Sequence, residues 1–202
     1  GGSNMLAEMQ TVADALKAKG KNPYIIPGGA SNTIGATGYV ACAQETLQQL
    51  FDMGLKINHM VVPSGSAGTH AGIVVGMQGN NAGIPVSGIN VSRTKADQEA
   101  LVYKLVEATA ERVGVATPIA KEAVECFDGY VGPGYSLPTD SMVEAVKLLA
   151  STEAILLDPV YSGKAMAGLI DLVRKGHFPE GSNVLFLHTG GSPALYAYQK
   201  TF

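Results

Sequence analysis

The sequence has no tryptophan, only two cysteines, and charged residues at only 15% of its 202 positions. Cys42 and Cys126 stand far apart with no CxxC spacing, so nothing supports a disulfide framework or a cysteine-bound metal, and two buried thiols of a reducing compartment are expected. Positive charge is scarce: 14 Lys and Arg against 17 Asp and Glu leave a formal charge of −3, with no counterion-release drive toward nucleic acid. No apolar run approaches the ~18 residues that a membrane span needs. The opening Gly1-Gly2-Ser3-Asn4-Met5 lacks the basic and apolar regions of a signal peptide. Because it does not start on methionine, Gly1 reads as a tag scar, a processed end or a cut inside a longer protein. The four histidines, His59, His70, His177 and His188, lack metal-ligand spacing, and no G-x-S-x-G elbow supports a hydrolase triad. A cytoplasmic protein without metal, membrane or nucleic-acid partner is expected.

What the chain has instead is glycine, 25 of 202 residues, with a hydrophobic share of 46% that excludes disorder. Small side chains at this density suit helices packed tightly on a sheet. Met5, Met9, Val12 and Leu16 recur at helical spacing over 5–17, and Gly20 follows as a stop. Tyr24-Ile25-Ile26 reads as a short strand. A helix is predicted over 38–53, a strand without alternation at His59-Met60-Val61-Val62, and a small-residue helix through Met77. The rhythm then repeats: strand 84–91, helix 95–113, strand 124–127, helix from Thr139 to about Thr152, the apolar Ile155-Leu156-Leu157, helix 163–175 and strand 184–187. Strands separated by helices predict parallel crossovers, hence an α/β fold with an open, mostly parallel twisted sheet and helices on both faces.

Such a sheet binds its ligand beyond the carboxyl ends of its strands, where three turns carry chemistry: 63–70, 158–163 and 188–193. Ser64-Gly65-Ser66-Ala67-Gly68-Thr69 follows a buried strand and opens a helix. Small residues there let backbone N–H groups meet an anion, and the helix dipole favours it; the alternative is a tight strand–helix turn. The loop is neither a P-loop nor a G-x-G-x-x-G turn. In Asp158-Pro159-Val160-Tyr161-Ser162-Gly163-Lys164, the aspartate or serine can cap a helix, or Tyr161 can face a ligand ring as a stacking or proton-transferring phenol. Thr189, in His188-Thr189-Gly190-Gly191, either belongs to a plain turn or bonds a heteroaromatic ring. Tyr135 follows Gly132-Pro133-Gly134 on a rigid loop that is equally readable as a turn. Gly28-Gly29-Ala30-Ser31-Asn32 is a further donor-rich turn.

Taken in order, Ile26 to Asn32 with Gly35, Gly38 and Tyr39, then Ser64 to Gly72, Gly132 to Thr139, Leu156 to Ile170 and Leu187 to Leu195 cover nearly the whole chain. With these stretches the chain resembles the D-cysteine desulfhydrase, L-cysteate sulfo-lyase and 1-aminocyclopropane-1-carboxylate deaminase group of pyridoxal-phosphate enzymes. That group has the tryptophan-synthase-β fold (fold type II). The resemblance implies pyridoxal 5'-phosphate as cofactor, a small amino-acid substrate and a homodimer. It makes Ser64, Gly65, Ser66, Ala67, Gly68 and Thr69 the cofactor phosphate cup, Thr189 the partner of the pyridine nitrogen, and Tyr135 and Tyr161 the active-site tyrosines. Ser162 stands where the deaminases carry glutamate, and Thr189 where they carry leucine, which disfavours ring opening. Ser64 to His70 and Val91-Ser92-Arg93 favour the desulfhydrase; Met5 to Met9 and Arg174 to Phe178 lean toward the sulfo-lyase.

The family's lysine-bearing segment, of the type Gly-Gly-Asn-Lys-x-Arg-Lys, has no match in this sequence. The resemblance therefore implies the carboxyl-terminal part of the enzyme: residues 1–25 as the end of a smaller domain and 26–202 as the larger, cofactor-binding domain, inactive alone. The missing lysine also leaves a reading from another class, an inactive domain that binds a small ligand.

Overall fold

The computed structural model describes residues 4–202. The reading of Gly1 as a scar or cut falls outside them. Four strands, β1 (His59–Ser64), β2 (Val86–Asn90), β3 (Glu125–Phe127) and β4 (Val184–Phe186), form one sheet in the order β3-β2-β1-β4. Every pair is parallel, and Met60 lies beside both Val86 and Leu185. The strands are apolar without alternation because both faces are covered. Met60 and Val62 pack with α2 (Thr33–Asp52), α3 (Gly68–Gly79) and α4 (Lys95–Val113). Val61 and Ile89, pointing the other way, pack with Ala165 and Leu172 of α6 (Ser162–Arg174). A third cluster joins α6 to α5 (Asp140–Glu153) through Met142, Val146, Leu157 and Met166.

Local chemistry sets the helix ends. Asn32, Thr94 and Thr139 cap α2, α4 and α5 by accepting the N–H groups of Gly35, Asp97 and Met142. Gly114, at φ +77°, ends α4 in the left-handed conformation that costs glycine little. α3 runs so close to α2 that a Cβ at Gly72 would strike the Ala36 carbonyl and Tyr39. The chain's richness in small residues serves this contact.

Three expectations need correction. α2 starts at Thr33 rather than Gly38, because the Asn32 cap drives a first turn of small residues that carries no apolar period. Tyr24-Ile25-Ile26 is not a strand: it has no neighbour to pair with, and Tyr24 and Ile26 are exposed. Ile155-Leu156-Leu157 joins no ladder either, although Leu157 is fully buried, because the Leu156 carbonyl bonds the His188 ring instead of a strand amide. α1 (Met5–Ala18) exposes Met5, Leu6, Val12 and Leu16. Among the described residues, no helix is long and apolar enough to cross a membrane.

Candidate active site

The strand order reverses between β1 and its two neighbours, and this switch point opens a cleft where parallel sheets bind ligands. A cavity of about 410 Å³ lies there. Its walls are the loop after β1, the loop after β4 with Thr189 and Gly191, Tyr161 and Asp158 before α6, Tyr135, and Gly29 with Tyr39.

The loop after β1 forms the floor. Ala67 adopts φ +83°, unusual for a residue with a Cβ, and turns the chain from strand to helix in one step. Among the described residues, the N–H groups of Ser66, Ala67 and Thr69 find no protein acceptor. They stand at the positive end of α3, a donor set for an anion. Gly65, Ser66, Ala67 and Thr69 line the cavity; Ser64 and Gly68 do not. The Gly68 N–H donates to Ser31 Oγ, whose hydroxyl in turn donates to Ser66 Oγ at 2.7 Å. The 28–31 turn is thereby clipped to the cup.

Ser64 works beneath the loop. Its Oγ, 1% exposed, accepts from Gln98 Nε2 at 2.9 Å and lies 3.0 Å from His70 Nδ1. Gln98 Nε2 and an Arg93 N–H both donate to the Gly65 carbonyl. Complete burial pushes the His70 pKa down to about 4, opposed by the Val86 backbone. Among the described residues, His70 Nε2 has no hydrogen-bond partner. A neutral imidazole is the consequence. Gly88 makes room for this ring, which a Cβ would strike.

Beside the floor, where the Tyr161 ring lies close to Gly65, the hydroxyls of Tyr135 and Tyr161 meet at 2.7 Å with their rings edge to face. Burial holds the Tyr161 phenol above the usual range; the Tyr135 bond and the nearby Asp158 carboxylate add to this, while Arg93 opposes it. Tyr161 is therefore a neutral acid at neutral pH. Asp158 does act as a cap: Oδ2 accepts the Val160 and Tyr161 N–H groups, and Oδ1 accepts the N–H and hydroxyl of Ser162. Capping and presenting Tyr161 to the cavity turn out to be one device. On the third wall, His188 Nδ1 accepts the Gly190 N–H, and its Nε2–H donates to Leu156, so the Thr189 loop is braced against the chain that leads to Tyr161. Sequence reasoning names Lys164 only as the first amine to seek should the chain act alone, uses His70 only within the 64–70 stretch, and assigns no role to Gln98.

These residues suit a phosphate-bearing aromatic cofactor. The unpaired amides suit a phosphate, Thr189 lines the same cavity, and Gly65 leaves the space that a Cβ, 3.0 Å from Tyr161 Cε1, would take from the phenol ring. The sheet and its switch-point anion cradle define an α/β enzyme class of this kind. A profile of the pyridoxal-phosphate dependent enzymes matches residues 2–190, and the chain belongs to that family. D-cysteine desulfhydrases of Salmonella paratyphi C and Salmonella choleraesuis are each 46% identical to it over 192 residues, 95% of this chain and 57% of theirs. A crystal structure of a homologue of ACC deaminase superposes with a TM-score of 0.88 at 34% identity, over 98% of this chain and 58% of its own. An L-serine ammonia-lyase from Rhizomucor miehei shares the fold, with a TM-score of 0.55 at 21% identity over 83% of this chain and 56% of its own. The chain thus spans a little over half the length of these relatives.

Proposed function

We propose that this chain builds most of the active site of a pyridoxal-phosphate-dependent carbon–sulfur lyase that converts D-cysteine and water to pyruvate, sulfide and ammonia. The observation that carries this reading is the juxtaposition, in one cavity, of the unpaired amides of Ser66, Ala67 and Thr69 with the Tyr135–Tyr161 pair and Thr189. Bound there, pyridoxal phosphate supplies an electron sink for the substrate's α-carbon. The N–H groups of Ser66, Ala67 and Thr69 would hold the phosphate. The Thr189 hydroxyl would serve as a neutral partner for the ring nitrogen. Tyr161 Oη holds a proton at the reacting end and exchanges it with Tyr135. Thr189 and Ser162, in place of the deaminases' leucine and glutamate, support elimination over ring opening.

The covalent amine is proposed to come from outside these 202 residues. Lys164 does not qualify, because its Nζ is engaged by two backbone carbonyls. Residues 26–202 serve as the larger domain. Residues 1–25 close a smaller one, consistent with the exposed apolar residues of α1. The cytoplasmic setting and the homodimer implied by the resemblance belong to the same proposal.

Sulfide release from D-cysteine tests it, measured on the 202-residue chain alone and on the chain joined to the lysine-bearing part of a Salmonella D-cysteine desulfhydrase. Only the joined protein should turn over. In it, Tyr161→Phe should lower kcat about a hundredfold and barely move KM. Turnover by the chain alone, or an unchanged kcat in Tyr161→Phe, would overturn the reading. Sulfite from L-cysteate with no sulfide from D-cysteine would overturn the choice of substrate but not the cofactor site.

A further inference from the structure

Lys164 is the largest side chain that the fold buries completely. It lies in the first turn of α6, where the helix dipole disfavours a cation. Among the described residues it has no ion-pair partner. Burial lowers its pKa from the usual lysine range. A side chain needed only to fill this space would be apolar, since methionine has similar length and no charge to desolvate.

What the ammonium does have is a pair of carbonyls. Nζ donates to Val131 O at 2.7 Å and to Gly134 O at 2.9 Å. These two groups bracket Gly132-Pro133, and the next residue is Tyr135. Tyr161, whose hydroxyl meets that of Tyr135, precedes Lys164 by three positions. One turn of α6 therefore carries the first phenol on its backbone and grips the loop of the second. Beyond Tyr135, the Tyr198 hydroxyl donates to the carbonyl of Ser136, a residue at φ +59°. The loop is tied on both sides of the tyrosine.

We propose that Lys164 is a positioning residue: through the Val131 and Gly134 carbonyls, it sets the Tyr135 hydroxyl against that of Tyr161. Its bearing on turnover rests on the proposed function, whereas the tether itself does not. Lys164→Met in the full-length protein tests both parts. Without cofactor, amide hydrogen exchange over residues 131–137 should quicken about tenfold, while α5 and α6 keep their protection. In the loaded enzyme, kcat should fall about tenfold to a hundredfold with KM within about threefold. Tyr135→Phe should then add little, because the pair is already misaligned. Unchanged exchange overturns the tether. Faster exchange with unchanged kcat, or with a full Tyr135→Phe effect on top, overturns the positioning role. If Lys164→Met does not fold, Lys164→Arg decides: its forked donors shift the two carbonyls, so faster exchange confined to the loop supports the tether and wild-type protection overturns it. A wild-type protein that never turns over D-cysteine refutes the proposed function and leaves the exchange result standing.

Discussion

Gly65 shows how little room separates the loop after β1 from Tyr161. A Cβ on it would sit 3.0 Å from Tyr161 Cε1 and 3.0 Å from Val91 Cγ2. Val91 is fully buried and has nowhere to go, so the phenol ring must yield. Gly65 needs no positive φ, so alanine suits its backbone and the effect falls on the neighbour. Gly65→Ala should destabilise the fold by only about 1 kcal/mol yet lower kcat about tenfold by displacing Tyr161. Thermal melts set against steady-state kinetics check this, and a kcat that tracks stability alone would show that Tyr161 is not displaced. At this scale the sequence announces residue types but not directions. Ser66, Ala67 and Thr69 stand out as small residues at a strand–helix turn. Ser64 looks the same in sequence but lies under the floor, because its position at the end of β1 turns its hydroxyl toward His70. Lys164 is legible only as a lysine on a helix; nothing in the local pattern reveals that its amine reaches back some thirty positions to a loop.

Among the elements, α3 carries a liability together with its anion cradle. His70 in its first turn is buried and neutral, with its pKa pushed down to about 4, whereas in the unfolded chain it titrates near 6.5. Between those values only the unfolded chain takes up the proton. Stability is therefore complete above the upper value and falls as pH drops through the window, by up to roughly 1.4 kcal/mol per pH unit. Urea midpoints across the window should show that slope, and His70→Gln should flatten it; a variant with the wild-type slope would assign the acid sensitivity elsewhere. Element boundaries were readable where chemistry marks them at both ends. α4 runs over its expected 95–113 because Thr94 caps one end and Gly114 stops the other. Strands were readable only where a partner exists. The apolar runs 24–26 and 155–157 resemble 184–186 in composition, but only the last finds a neighbour, in β1. Pairing is a property of the fold and leaves no trace in a single segment.

For the molecule as a whole, fold class and the end of the sheet that holds the cavity were both legible, since alternating helices and apolar strands allow few topologies. How the walls meet was not. The cavity draws on the turn near Gly29, the loop after β1, the Tyr135 loop, the cap at Asp158 and the loop after β4. Each follows a different stretch of chain, and the most distant, Gly29 and Ala194, are separated by most of the sequence. A ligand seated there acts as a clasp on the entire domain, and loading and folding become linked equilibria. An anion that binds only the folded cup adds RT ln(1 + [L]/Kd) to stability, about 2.7 kcal/mol at a hundred times its Kd. Inorganic phosphate should therefore raise the melting temperature of the 202-residue chain where chloride at equal ionic strength does not. A chain indifferent to phosphate would mean that the amides at 66–69 are closed to anions. A chain that responds would rely on its cofactor's phosphate as a late-arriving part of its own core, so starvation for the cofactor would surface first as a loss of protein rather than of rate.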